Sequence, residues 1–435
     1  MAQTGKIAEV MFENFIETYE HQNKMVDLCD QIEPDEKMMQ NANNVVWRPV
    51  QQHRPVLEGW DLTGQEQDII EETYPSILEE PVGDFILQRA DDLRDMTFWE
   101  RAGKQSAMQQ VTEQNKRITD RAVLQGSMFF TQSAATSTSG FDFLAEGQVI
   151  MNQRQSIKGD RCFLLNDRDN KTFANELAGR QTVQGMPTVT WETGQVANNV
   201  AEFDVYTESF LPNIVNNTSG GSTVVGDQSF APEGGSVDTV NGQVTNVDYR
   251  SADVVVASSA AFNVGDKISF DTVESVGRAD KNETNELMTF TVVGKDISAA
   301  NTIRIYPKPI GVNDATLTAL EQAYGNVVNK TNTNGAIPDG VNVNVLNDFG
   351  AAGDQKANLF WNKDAIEVIS GTIPVELFKQ YDGMQVITET MSNGQTAYMV
   401  YDANLTNMSF RYRLFVWYGI TIAKPQDVGI GVTIP

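Results

Sequence analysis

Between residues 223 and 346 the chain stops reading as helix and reads as short strands, and this change most limits what it can fold into. Asp253-Val-Val-Val-Ala257, Lys267-Ile-Ser-Phe270, Met288-Thr-Phe-Thr-Val-Val293 and Thr302-Ile-Arg-Ile-Tyr306 follow one another at short intervals. Several alternate with period two, as Ile303 and Ile305 do around Arg304, the spacing of a half-buried strand. Gly- and Asn-rich breaks separate them. Asn216-Asn-Thr-Ser-Gly-Gly-Ser222 leads in and Lys330-Thr-Asn-Thr-Asn-Gly335 marks the exit. Regular short strands of this kind predict a small barrel or sandwich. Mixed α/β signals lie on both sides, so the segment reads as an inserted all-β domain in an α+β chain.

Before the insert, residues 5–20 read as an amphipathic helix. Ile7, Met11 and Phe15 recur at i+4, with Val10, Ile16 and Tyr19 beside them. Glu9, Glu13 and Glu17 also recur at i+4 and form an acidic stripe. Such like-charge pairs cost an isolated helix only about 0.2–0.5 kcal/mol each. Two readings stay open: a solvated face, or a docking strip for a basic helix. Residues 1–40 hold nine acids and three bases, a balance of 3 − 9 = −6, which favours docking. Over 43–78, Val45-Val-Trp-Arg-Pro-Val50 and the run from Ile69 through Tyr74 to Ile77 read as two strands. Pro49 and Pro55 make this an edge ribbon or extended loop, which has no core of its own and must lean on something else. Residues 84–128 read as one long helix, capped by Asp84. Arg89 with Asp92 and Asp91 with Arg94 are i,i+3 pairs, and Gly103 is a point of breakage or bending. Unbroken, this spine would extend roughly 65 Å at about 1.5 Å per residue.

The segment 129–222 reads as mixed: a loop over 133–140, a helix from Phe143 to Met151, a buried strand Arg161-Cys-Phe-Leu-Leu165, and a short helix near Phe173–Leu177. Within the insert, Val240-Asn241-Gly242-Gln243-Val244 signals a hairpin, with Asp238, Asp248 and Arg250 on its arms. It is either a clasp for a neighbour or an ordinary solvated turn. After the insert, Asn358-Leu-Phe-Trp361, Glu367-Val-Ile369, Tyr398-Met-Val-Tyr401 and Arg411 to Ile422 read as strands, and Leu414-Phe-Val-Trp-Tyr418 belongs in a core.

The sequence offers little chemistry. Its only two histidines, His21 and His53, lie in separate segments, and neither sits in a catalytic context. Cys29 and Cys162 are far apart and lack the spacing of a disulfide framework or zinc site. Asp167-Arg-Asp-Asn-Lys171 begins like a calcium loop, but Thr172 replaces the turn glycine and Ala178 the final glutamate. No dinucleotide or P-loop motif is present. The expectation is no enzyme, no metal and no cofactor. Hydrophobic residues make up 40% of the 435, enough for real cores. No apolar run is long enough to span a membrane and no signal-peptide pattern opens the chain, so the expectation is a protein made and kept in cytosol. A net charge of −26 repels nucleic acid and anionic membranes and attracts basic partners.

A collinear series of short runs resembles the major coat protein of P22-type tailed bacteriophages. Trp47-Arg-Pro-Val-Gln51 precedes Glu58-Gly-Trp-Asp-Leu-Thr63; Asp84-Phe85 and Leu87-Gln-Arg-Ala-Asp-Asp-Leu-Arg-Asp95 follow. Gly265-Asp-Lys-Ile-Ser-Phe270, Pro307-Lys-Pro309, Gln322-Ala-Tyr-Gly-Asn326 and Val343-Asn-Val-Leu-Asn347 lie in the insert. Phe360-Trp361, Asp364-Ala-Ile366, Trp417-Tyr-Gly419 and Gly429-Ile-Gly-Val432 lie near the end. The resemblance implies an HK97-like capsid fold: an N-terminal arm at 1–42, an E-loop at 43–78, a peripheral domain with spine helix at 79–128, an axial domain at 129–222 and 347–405, an insertion β-barrel at 223–346, and peripheral strands at 406–435. It implies pentamers and hexamers of this chain in an icosahedral procapsid, of triangulation number seven in the family's usual pattern. That shell is built with a scaffolding protein and a portal protein in the bacterial cytoplasm, encloses double-stranded DNA without specific binding, and ends as the virion capsid. It places scaffold binding at Glu9, Glu13 and Glu17. It places contacts between subunits at Trp60, Asp61, Arg89, Asp92, Asp238, Asn241, Gly242 and Arg250. The rival readings are another phage structural protein, such as a tail or decoration subunit with a β-barrel, and a secreted carbohydrate-active enzyme.

Overall fold

The structure is a computed structural model that describes residues 2–32, 44–50, 60, 70, 72–89, 96–133, 140–156, 158–179, 195–233, 236–237, 244–373, 375, 384–404 and 409–434. The chain divides into two compact units, one of residues 1–46, 76–118 and 366–421, the other of 47–75, 119–365 and 422–435.

In the first unit the N-terminal helix runs from Ala2 to Gln22. Of the predicted stripe it buries Met11, Phe15, Ile16 and Tyr19, with Ala8 and Phe12 added; Val10 is half-buried, and the Ile7 side chain lies outside what the structure describes. The long helix is shorter than expected and starts later. Val82–Arg89 is not its first turns but a strand, and the helix spans the thirty residues Met96–Gln125. The strand pairs antiparallel with Ser409–Val416, from Val82 opposite Val416 to Arg89 opposite Ser409. Burial along it alternates, with Gly83, Phe85 and Leu87 exposed between better-covered Asp84, Ile86 and Gln88. That is the period of a strand, so Asp84 is no helix cap. The four-stranded sheet continues in the order Val82–Arg89, Ser409–Val416, Thr396–Asn404, Gln385–Thr390. A smaller sheet sets Asp30–Ile32 parallel to Ile366–Ser370, which also borders Tyr418–Ile422. Residues 366–404, assigned to the axial domain by the resemblance, thus group with the start of the long helix.

Gly103 neither breaks nor ends that helix. A Cβ built on it would fall 2.4 Å from the Met11 carbonyl oxygen. The glycine therefore lets the N-terminal helix cross in close contact. One turn back, Trp99 is fully buried and meets Tyr412 edge-on at 5.0 Å.

Among the described residues the second unit holds two large sheets. One runs in the order Met128–Ser133, Val428–Ile434, Gln355–Asn362, Arg161–Leu165, Phe203–Thr207, Gln195–Val200, with Asn213–Ile214 beside Gln355–Asn362. Helices Gly140–Gln153 and Asp167–Gly179 belong to the same unit. Its core is aromatic: Phe163 stacks on Phe360 at 5.5 Å, and Phe130, Phe143 and Phe203 complete the cluster. The other sheet is the insert. Its order is Ser222–Thr223, Asn342–Val345, Lys267–Val276, Glu283–Lys295, Thr302–Tyr306, Ala252–Val255. The two ends of that order meet where Val224 bridges Val256, with Ala257 N–H donating to Thr223 O at 2.8 Å and Val225 N–H to Val255 O at 3.1 Å. The sheet therefore closes on an interior of Val254, Ile268, Phe270, Phe290, Ile303 and Ile305. Burying a side chain of this size is worth about 1.5–3 kcal/mol, so the insert has a core of its own.

Candidate functional site

The acidic stripe is a surface. Glu9, Glu13 and Glu17 are exposed along one side of the N-terminal helix while its apolar side is buried. Buried amides fix the helix in its own unit. The Tyr19 hydroxyl donates to Gln114 Oε1 at 2.5 Å, and Asn23 Nδ2 donates to the same oxygen at 2.9 Å. Gln395, in the hairpin between the strands Gln385–Thr390 and Thr396–Asn404, lies within 3.3 Å of the Tyr19 hydroxyl. The Glu20 carboxylate accepts from Ser392 N at 2.6 Å. Burial pushes the Tyr19 hydroxyl well up in pKa, so it stays a donor. The stripe is thus carried on a helix whose other face is held.

In the second unit, side chains of the barrel reach the elements around it. Lys267 is fully buried. Its Nζ donates to Val123 O at 2.7 Å, Gly126 O at 2.8 Å and Thr291 Oγ1 at 2.9 Å. A cation so placed satisfies carbonyls left open at a helix C-terminus and suits the negative end of its dipole. Burial draws its pKa well below the ordinary lysine value, with Asp266 acting against the shift. Arg278 holds Asp427 through bonds of 2.6 and 2.8 Å, and Ser156 Oγ donates to the same carboxylate at 2.6 Å. Burial would raise the Asp427 carboxyl, but Arg278 and Ser156 hold it below the usual range. Sequence reasoning missed both joints. Lys267 stood only at the start of a predicted strand and inside a resemblance run, and its helix partners are some 140 positions away.

Arg250 was expected at a contact between subunits. It is buried instead, with its guanidinium bidentate on Asp248 at 2.9 Å and donating to Ile422 O at 2.7 Å. It lies between the rings of Tyr74 and Tyr306, 5.8 and 5.3 Å from their centroids. Tyr249 extends the joint by donating to Ala423 O at 2.9 Å. The hairpin is present at its base, where Ser236–Val237 pairs with Val244–Thr245. Asp238, Asn241 and Gly242 lie outside the described residues, as do Asp61 and Asp92. Trp60 is fully exposed. Arg89 ends the strand opposite Ser409.

The calcium-like run is the first turn of helix Asp167–Gly179. Asn166 Oδ1 accepts from Arg168 N and Asp169 N at 3.0 Å each, the geometry of an N-cap. Asp169 in turn accepts from Asn166, Asn358 and Thr433, so the carboxylate is spent on tying the helix to the sheet. Among the described residues no group of three His, Cys, Asp or Glu could hold a metal ion, and no helix is long and apolar enough to cross a membrane. His21 is exposed and His53 lies outside the described residues.

Residues 1–433 match the family described as P22 coat protein, gene protein 5. The chain belongs to the P22 coat protein family. Its fold is that family's HK97-like α+β fold with an inserted barrel. Among solved structures, the coat protein I-domain of CUS-3 is 23% identical over 29% of this chain and 96% of that one, with a TM-score of 0.22. A structure from Mycobacterium phage Che8 is 9% identical over 93% and 89% of the two chains, with a TM-score of 0.37. The mature capsid of bacteriophage PhiM1 is 8% identical over 93% and 85%, with a TM-score of 0.40. As a P22-type coat protein the chain is a major capsid protein, many copies of which form the shell of the virion. It is structural and not an enzyme.

Proposed function

We propose that this coat protein assembles with a scaffolding protein into an icosahedral procapsid of triangulation number seven, made of pentamers and hexamers. In this reading a portal protein joins the shell, assembly takes place in the host cytoplasm, and the shell expands as double-stranded DNA enters. The exposed stripe of Glu9, Glu13 and Glu17 on a firmly seated helix carries the proposal. It offers a basic helix three carboxylates at successive turns, and charge complementarity speeds encounter and fixes register. A subunit of net charge −26 encloses DNA without adhering to it. The segment 223–346 acts as the insertion domain, with its hairpin reaching to a neighbour through Asp238, Asn241 and Gly242. Residues 366–404 move from the axial to the peripheral domain. Trp60, Asp61, Arg89 and Asp92 remain proposed contacts; Arg250 acts within its own subunit.

The test is the double variant Glu13→Lys, Glu17→Lys. Both positions are exposed, so the subunit keeps its fold within about 0.5 kcal/mol, while co-expression with the scaffolding protein gives no procapsids by electron microscopy. Normal procapsids from this variant refute the docking role.

A further inference from the structure

The second unit contains an open cleft that the surfaces above do not use. Arg278, Lys281 and Lys308 line it, together with Tyr324, Asn326 and one carboxylate, Glu72. Two of the runs that carry the family resemblance, Pro307-Lys-Pro309 and Gln322-Ala-Tyr-Gly-Asn326, build its wall. They are tied together where Asn326 Nδ2 donates to Lys308 O at 2.9 Å and Asn326 Oδ1 accepts from Ile310 N at 2.9 Å. Gly325 is required there, since a Cβ would come within 2.5 Å of Val312 Cγ1.

The three cations differ in their commitments. Arg278 is bound to Asp427 and Lys308 faces Glu233 at 3.6 Å. Lys281 forms no ion pair with a carboxylate among the described residues; its ammonium donates to the Gly325 carbonyl at 2.9 Å. Its position is imposed by a rigid turn. Lys281 sits at φ +56°, Gly277 N donates to Asn282 O at 2.9 Å, and Gln155 Oε1 accepts from Ala279 N at 2.8 Å. Burial, and then the nearby Arg278, draw the Lys281 ammonium down to about 8. An anion placed beside it would offset both effects.

We propose that this cleft receives a carboxylate from a second copy of the chain, which pairs with Lys281 when subunits assemble. The chain carries 58 acids against 32 bases, so carboxylates are the anions that a neighbour presents in greatest number. Copies of so acidic a subunit repel one another, and Lys281, the one of the three cations with no carboxylate partner among the described residues, gives an approaching carboxylate a point of attraction. The proposal rests on shell formation by many copies and not on the scaffold reading.

Shells are assembled from an equimolar mixture of 14N- and 15N-labelled subunits and treated with a carbodiimide, which joins an amine to a carboxylate in contact with it. The expected result is an amide between Lys281 and an acidic peptide of the other isotope, absent from unassembled subunits. Acetylation of Lys281 near pH 7.5 also slows on assembly. At that pH the neutral amine fraction falls about two hundredfold if pairing restores an ordinary lysine pKa near 10.4. Lys281→Met removes the cross-link and lowers the yield of shells. Lys281 left unlinked, linked only within its own isotope, or acetylated equally fast in shells and subunits overturns the proposal. So does protection of Lys281 by inorganic phosphate in free subunits without protection in shells, which makes the cleft a small-anion site.

Discussion

Replacing Gly103 with alanine sets two effects of known sign against each other. Helix propensity favours alanine over glycine by about 1 kcal/mol in a helix interior. Gly103 lies inside the unbroken helix Met96–Gln125, so propensity alone predicts a more stable protein. The tertiary structure predicts the reverse. The new Cβ would stand 2.4 Å from the Met11 carbonyl oxygen, whereas such carbon–oxygen pairs rest at about 3.3 Å or more. The atom met is backbone, so no side chain can swing away, and the N-terminal helix must move outward by nearly an ångström. Overpacking of this kind costs about 1–3 kcal/mol, and the shift also loosens Met11, Phe12 and Phe15. Set against the propensity gain, the net expectation is a loss of up to about 2 kcal/mol, measured by urea unfolding of the purified subunit. Amides of the N-terminal helix should exchange faster than in the parent protein. A gain of about 1 kcal/mol with unchanged exchange refutes the close crossing, because propensity would then be the only force at work.

Asp427→Asn should cost about 3–5 kcal/mol near neutral pH, since it leaves Arg278 buried with its charge uncompensated. Because Asp427 has a depressed folded pKa, its contribution is present above the unfolded value of about 3.9 and is lost as pH falls through the folded value; the stability gap between parent and variant should narrow on that acid limb in urea titrations. Arg250→Lys should destabilise by about 2–3 kcal/mol in the same assay, because lysine cannot reproduce the fork on Asp248 and the bond to Ile422 O. Removing residues 238–243 should leave subunit stability within about 0.5 kcal/mol while lowering the temperature at which assembled shells come apart. Shells of unchanged stability would make the hairpin a plain turn.

Local patterns were legible wherever one face of an element meets one environment. Met11, Phe15, Ile16 and Tyr19 face a core and the acids beside them face water, so the N-terminal helix announces itself. Ala252–Val255 and the centre of Thr302–Tyr306 alternate because one side of each faces the interior, whereas Lys267 to Phe270 and Met288 to Val292 are buried throughout. The same reasoning failed over 84–89, while 90–95 lie outside the described residues. Arg89, Asp91, Asp92 and Arg94 stand at helical spacing, yet Val82–Arg89 is held as a strand by its pairing with Ser409–Val416, more than 300 positions away. Its inner positions include Asp84 and Gln88 while Phe85 and Leu87 are exposed, so hydropathy pointed to the wrong face. Gly103 was read as a helix breaker because the crossing chain that needs it cannot be seen from one helix alone.

The order of chain segments, the all-β insert, the acidic stripe and the family itself were thus written in the amino-acid string, since periodicity, composition and short runs are properties of neighbours in sequence. Which charges meet was decided only by folding. Lys267 closing a distant helix end, Arg278 on Asp427, Arg250 turned inward and Lys281 on the Gly325 carbonyl all depend on loops that bring remote residues within 3 Å, and interactions of that range leave no trace in local spacing.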